Sequence, residues 1–103
     1  MAQEYSRTQR VADQIQRELA ALIQREVKDP RVGMATVSAV EVSRDLSHAK
    51  VFVTILNGGE DQQGMTESVK ALNNASGFLR SQLGQRMKLR IVPTLRFHFD
   101  DSL

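Results

Sequence analysis

Cysteine is missing from this chain of 103 residues, and so is tryptophan. Without a thiol there is no disulfide framework, no thiolate metal site and no cysteine nucleophile. Apolar residues never run to the ~18 in succession that a bilayer-spanning helix needs. The first residues, Met1 to Ser6, also lack the basic and apolar regions of a secretion signal. The expectation is a cytoplasmic protein with no membrane partner. Proline occurs only at positions 30 and 93, and no low-complexity tract or internal repeat interrupts the chain. Aromatic residues are few: Tyr5, Phe52, Phe78, Phe97 and Phe99. Their phasing assigns most of them to a core, which argues against base-by-base reading of a single strand by stacking.

What is present is a hydrophobic content of 41% with 25% charged residues, ordinary for a soluble globular domain. A chain of this length buries about 65% of its unfolded surface, enough for one modest core. Residues 1–103 are therefore read as a single domain. The net charge of +2 hides an asymmetry. Residues 1–67 hold eight Lys/Arg against ten Asp/Glu, whereas from Ser68 to Phe99 there are six basic residues and no acidic one. Those six are Lys70, Arg80, Arg86, Lys88, Arg90 and Arg96, and such a one-sided stretch permits an anionic partner.

Ser6-Arg7-Thr8-Gln9 fits a capping box. Val11, Ile15, Leu19, Leu22, Ile23 and Val27 then recur at helical spacing until Asp29-Pro30, predicting a helix over 7–28. Residues 34–42 read as a strand in which Ala35, Val37 and Ala39 take one face before Val40 and Val42 take the other, a phase change that suggests a bulge. Ser43 to Ser47 makes a five-residue hairpin connection, and 49–56 a second strand apolar on both sides, ended by Asn57-Gly58-Gly59. Met65, Val69, Leu72, Leu79 and Leu83 form a helical stripe interrupted by Asn73-Asn74-Ala75-Ser76-Gly77. That predicts two helices meeting at a kink, with Ser76 as N-cap of a helix from Gly77 to about Gln85. From Lys88 to Phe99 apolar and basic residues alternate, predicting a strand at a sheet edge or interrupted at Pro93. The order helix, strand, strand, helix, kinked helix, strand implies an α+β domain, a three-stranded sheet with helices on one face.

Catalytic residues are scarce. His48 and His98 stand in no recognised catalytic or phosphate-loop context; His98-Phe99-Asp100-Asp101 could offer a metal one nitrogen and two oxygens, but a strand-end histidine beside solvated aspartates fits better, since Phe99 points opposite to His98 and no third ligand is indicated. Neither enzyme, metal nor cofactor is indicated. A helix start at Ser76-Gly77, by contrast, offers amides and a dipole end suited to phosphate, with Arg80 one turn on and Lys88 and Arg90 nearby. On charge pattern alone, a phosphate cradle and a packing kink beside solvated arginines fit equally well.

Several separated motifs in order then carry a family resemblance. They are Arg10-Val11-Ala12, the run from Gln24 to Gly33 (Gln24-Arg25-Glu26-Val27-Lys28-Asp29-Pro30), Val42-Ser43-Arg44-Asp45-Leu46, Ala49-Lys50-Val51-Phe52-Val53, Ala75-Ser76-Gly77-Phe78-Leu79-Arg80 and Leu89-Arg90-Ile91-Val92-Pro93. The chain resembles the ribosome-binding factor A family, bacterial small-subunit maturation factors, over essentially its whole length. The resemblance implies a type II KH-like, RNA-binding domain in which an Ala-x-Gly kink, here Ala75-Ser76-Gly77, replaces the Gly-x-x-Gly loop. It implies a non-catalytic factor that binds the immature small ribosomal subunit through its rRNA, assists late 16S rRNA processing and supports growth in the cold, without a small-molecule substrate and as a monomer when free. Members commonly extend past the last strand as a flexible tail, whereas these residues end at Leu103. The RNA surface expected is Ser76, Gly77, Arg80, Arg86, Lys88 and Arg90, with Arg7 and Arg10 joining if the start of the first helix lies nearby. The alternative is a protein-interaction module using the sheet face around Arg96 and His98 to bind a ribosomal protein or an assembly GTPase.

Overall fold

The computed structural model describes residues 7–26, 34–56 and 62–100. Helix α1 (Arg7–Glu26) is followed by β1 (Met34–Val42) and β2 (His48–Leu56), then α2 (Gln62–Asn74), α3 (Ser76–Met87) and β3 (Thr94–Phe99). Strand order is β1-β2-β3, with β1 antiparallel and β3 parallel to β2. The three helices cover one face. Ile15, Leu19 and Leu22 of α1, Leu72 of α2, and Leu79 and Leu83 of α3 close over Val51, Val53, Leu95 and Phe97 in a single buried core. The expected capping box at Ser6, the stop at Asp29-Pro30 and the turn at Asn57-Gly58-Gly59 lie outside the described residues. No helix is long and apolar enough, among the described residues, to cross a membrane.

The bulge in β1 falls between Val37 and Ala39, one residue before the predicted phase change, and its effect is the reverse of the one expected. Because Ser38 is an extra residue against β2, Val40 and Val42 return to the face that Val37 uses. Val37 and Val40 are both buried opposite Val53 and Val51. An insertion of one residue flips side-chain phase, and here it corrects a sequence that is itself out of phase. Gln16 of α1 fixes the spot by donating from Nε2 to the carbonyls of Val37 at 3.4 Å and Ser38 at 3.3 Å.

Strand β2 is central but covered on one side only: Ala49, Val51 and Val53 are buried, while Lys50 is exposed and Phe52 half-buried. The open face carries Glu41, Lys50 and Arg96 in one cross-strand row and Ala39, Phe52 and His98 in the next. The Phe52 and His98 rings sit 5.7 Å apart, tilted by 33°.

The hairpin is tied by one carboxylate. Asp45 Oδ1 accepts from the Ser43 hydroxyl at 2.7 Å, the Ser47 hydroxyl at 2.7 Å and the Ser47 amide at 3.1 Å. The Ser47 hydroxyl first, then the Ser43 hydroxyl and the Ser47 amide, hold its pKa down to about 2. A carboxylate with a lowered native pKa contributes stability above its unfolded pKa and loses it as pH falls through the native one. Stability should therefore decline from about pH 4 toward about pH 2, and Asp45→Asn should flatten that limb of a pH series of thermal midpoints. An unchanged limb would show that the three bonds contribute nothing to folding.

Candidate nucleic-acid interface

Two separate helices meet within the stretch from Asn73 to Gly77, and the way they are separated differs from the one predicted. Ala75 alone separates the helices, at φ −91° and ψ 3°, the sparsely populated bridge region. Its amide still bonds back to the carbonyls of Ala71 and Leu72, each at 3.1 Å. Ala75, not Ser76, is the N-cap, and no side chain caps α3. Among the described residues no backbone bond runs from the amides of Ser76, Gly77 or Phe78 into α2, and the first link across the break is Leu79 N–H to Ala75 carbonyl at 2.9 Å. Helix α3 runs on through Gly84 to Met87, and a Cβ at Gly84 would lie 2.8 Å from Val92 Cγ2. Glycine there lets the 88–93 segment lie against the helix, which matters more for packing than its poor helix propensity.

Asn73, expected only as a poor helix former, grips the sheet. Its Nδ2 donates to the Phe97 carbonyl at 3.1 Å, and its Oδ1 accepts from the Phe97 amide at 2.8 Å. The side chain pairs with edge strand β3 as a neighbouring strand would, anchoring the chain two residues before the break at Ala75. Its position beside Val69 and Leu72 on the core-facing stripe of α2 was the available signal, since a polar residue there needs a buried partner.

The basic strand predicted from Lys88 divides in two. Only Thr94–Phe99 is strand, beginning directly after Pro93, which lacks the ladder donor. Lys88 instead ends α3 in the left-handed conformation at φ 54°, its amide bonded to the Gly84 carbonyl at 2.9 Å. Leu89 to Pro93 is irregular, and Ile91, assigned by alternation to the apolar face, is 54% exposed. Phe78, also expected inside, is 47% exposed on the first turn of α3.

These elements leave an open depression of about 510 Å³ between α3 and the 90–92 segment, lined by Gly77, Arg80, Gly84, Arg90, Ile91 and Val92 among others. Arg80 spans it: Nε donates to the carbonyls of Val92 at 3.0 Å and Pro93 at 3.3 Å. Its terminal nitrogens have no partner among the described residues. Lys88 and Arg90 are exposed. Arg86 is committed elsewhere, with Nε 2.6 Å from Glu18 Oε1 of α1. Arg7 and Arg10 are exposed on α1 and are not part of the depression's lining. Gly77 is exposed, its φ lies outside the left-handed range, and a Cβ there would meet nothing within 4 Å. Among the described residues no group of three His, Cys, Asp or Glu side chains could hold a metal. Asp100 accepts from the Ser38 hydroxyl.

Helices layered on one face of a mixed three-stranded sheet, with the second and third helices meeting at a one-residue break, define a KH-like α+β domain. The family model for ribosome-binding factor A matches residues 7–103, and the chain belongs to that family. Ribosome-binding factor A of Pseudomonas fluorescens is 62% identical over 103 residues, covering 100% of this chain and 77% of the relative. The crystal structure of ribosome-binding factor A from Thermus thermophilus is similar with a TM-score of 0.75 at 31% identity, over 90% of this chain and 96% of that one. A Thermus thermophilus ribosome-binding factor A model fitted into the cryo-EM map of a 30S complex aligns with a TM-score of 0.68 at 34% identity, over 84% and 87% of the two chains.

Proposed function

We propose that this protein binds the immature small ribosomal subunit through its rRNA and assists late maturation of 16S rRNA, including at low temperature, as a cytoplasmic, non-catalytic factor. Residues 1–103 act as one RNA-binding domain, and the contact surface is the Ala75-Ser76-Gly77 kink with Arg80, Lys88 and Arg90 around the depression. The observation that carries this reading is Gly77. A helix residue that needs no positive φ and has open space where a Cβ would stand gains nothing from being glycine in the free protein. Its use costs roughly 1 kcal/mol against alanine, and close approach of a phosphate backbone is a physical reason to keep it. Lys88 points the same way. It holds a cation at a left-handed C-terminal position where glycine is the usual residue.

Gly77→Ala tests the reading because its two effects have opposite signs. Free-protein stability should rise by about 0.5–1 kcal/mol in urea unfolding, whereas affinity for purified immature small subunits should fall severalfold. Cells relying on the variant should then accumulate precursor 16S rRNA in the cold. A stabilised variant that binds and supports processing as the parent does would remove the kink from the interface.

A further inference from the structure

We propose a second RNA contact surface on the outward face of α1, where Arg10 and Arg17, flanked by Arg7 and Arg25, track a phosphate backbone separately from the kink. Ala12, Ile15, Leu19, Leu22 and Ile23 turn one side of this helix into the core. At 100° per residue the opposite side carries Arg10, Arg17 and Gln24, with Arg7, Gln14 and Arg25 at its margin, and all six are exposed. From Arg7 to Arg25 the stripe is about 27 Å long.

An ordinary solvated helix face intersperses opposite charges at i, i+3 and i, i+4. This one does not. Glu18 is spent on an ion pair with Arg86, and Asp13, which accepts from the neutral Gln9 Nε2 at 3.0 Å, leaves one edge carboxylate against four cations. None of the four arginines has a partner among the described residues. The placement also opposes the helix dipole, because the first turn of α1 holds Arg7 and Arg10 and no acidic residue. Arg7 and Arg10 further repel each other at i, i+3. Two unfavourable terms, offset among the described residues only by Asp13, are the kind of local inconsistency that a functional surface explains. A row of guanidinium forks with amide side chains between them matches phosphate and sugar oxygens of RNA.

The inference rests on the rRNA-binding reading above, so the test separates the two surfaces. Arg10→Gln/Arg17→Gln and, independently, Lys88→Gly/Arg90→Gln are titrated against immature small subunits and against protein-free 16S rRNA across a salt series. The α1 variant should keep or raise the thermal midpoint, lose about 20-fold in affinity at ~0.1 M salt, and reduce the log–log salt slope by about 1.4 on both targets. Unchanged affinity would make the stripe an ordinary solvated face and overturn the proposal. Weaker subunit binding with an unchanged slope and unchanged binding to protein-free rRNA would overturn it in favour of a protein contact. If the α1 variant behaves as expected while the Lys88/Arg90 variant binds normally, the kink reading fails and the α1 surface stands.

Discussion

Replacing Asn73 with alanine should lower stability by about 2–4 kcal/mol, because one substitution removes both bonds to the edge strand and leaves the Phe97 amide and carbonyl without partners at a partly buried site. For a domain of this size that corresponds to a fall in thermal midpoint of roughly 10–25 °C. The neighbouring Asn74, exposed at the end of α2, provides the control. Asn74→Ala should change stability by no more than about 0.5 kcal/mol, as surface substitutions usually do. Hydrogen exchange of the Phe97 amide gives a local readout, expected to speed up in the first variant and not in the second. Equal behaviour of the two variants would reduce the Asn73 pairing to an incidental contact. The consequence reaches the proposed interface, because Asn73 stands two residues before Ala75 and fixes the end of α2 against β3. The break between the helices is thereby held in register with the sheet.

Much of this architecture was legible in the chain because apolar periodicity decides it. The stripe of Ile15, Leu19, Leu22 and Ile23 placed α1, and Leu72, Leu79 and Leu83 placed both later helices, since these side chains had one core to reach. What periodicity could not show were events in which one backbone atom meets another element. Alternation ran smoothly through Leu89 and Ile91, yet the 88–93 segment is not strand. The close approach of Val92 to Gly84 and the bonds from Arg80 to the Val92 and Pro93 carbonyls hold it against α3 instead. The bulge was visible as a phase error at Ala39 and Val40, but its direction depended on which face α1 covers. The overall charge balance concealed the α1 stripe as well. The acidic count of the first 67 residues is the larger one, and the pairing of Glu18 with Arg86 withdraws one of the α1 carboxylates from the arginines beside it.

That same commitment of Arg86 and Arg80 to internal partners changes which substitutions can test the kink cleanly. Arg80→Ala would remove the bonds that hold the 92–93 backbone, so loss of binding could follow from displacement of Arg90 rather than from loss of a phosphate contact. Lys88 and Arg90 avoid that ambiguity, since both side chains are exposed and only the Lys88 backbone is engaged. Lys88→Gly should relieve the left-handed conformation at φ 54° and stabilise the free domain by about 1 kcal/mol. If about five phosphates are engaged, the parent's log affinity for rRNA should fall with log salt at a slope near 3.5, and removing two contacts with Lys88→Gly/Arg90→Gln should bring it to about 2. At ~0.1 M salt the same loss is about 20-fold in affinity, close to 2 kcal/mol. A domain that becomes no less stable while binding weakens and the slope drops can have lost only an electrostatic contact made in the complex. If instead affinity falls while the slope stays near its parent value, Lys88 and Arg90 meet something other than phosphate, and the open sheet face around Arg96 and His98 becomes the next surface to alter.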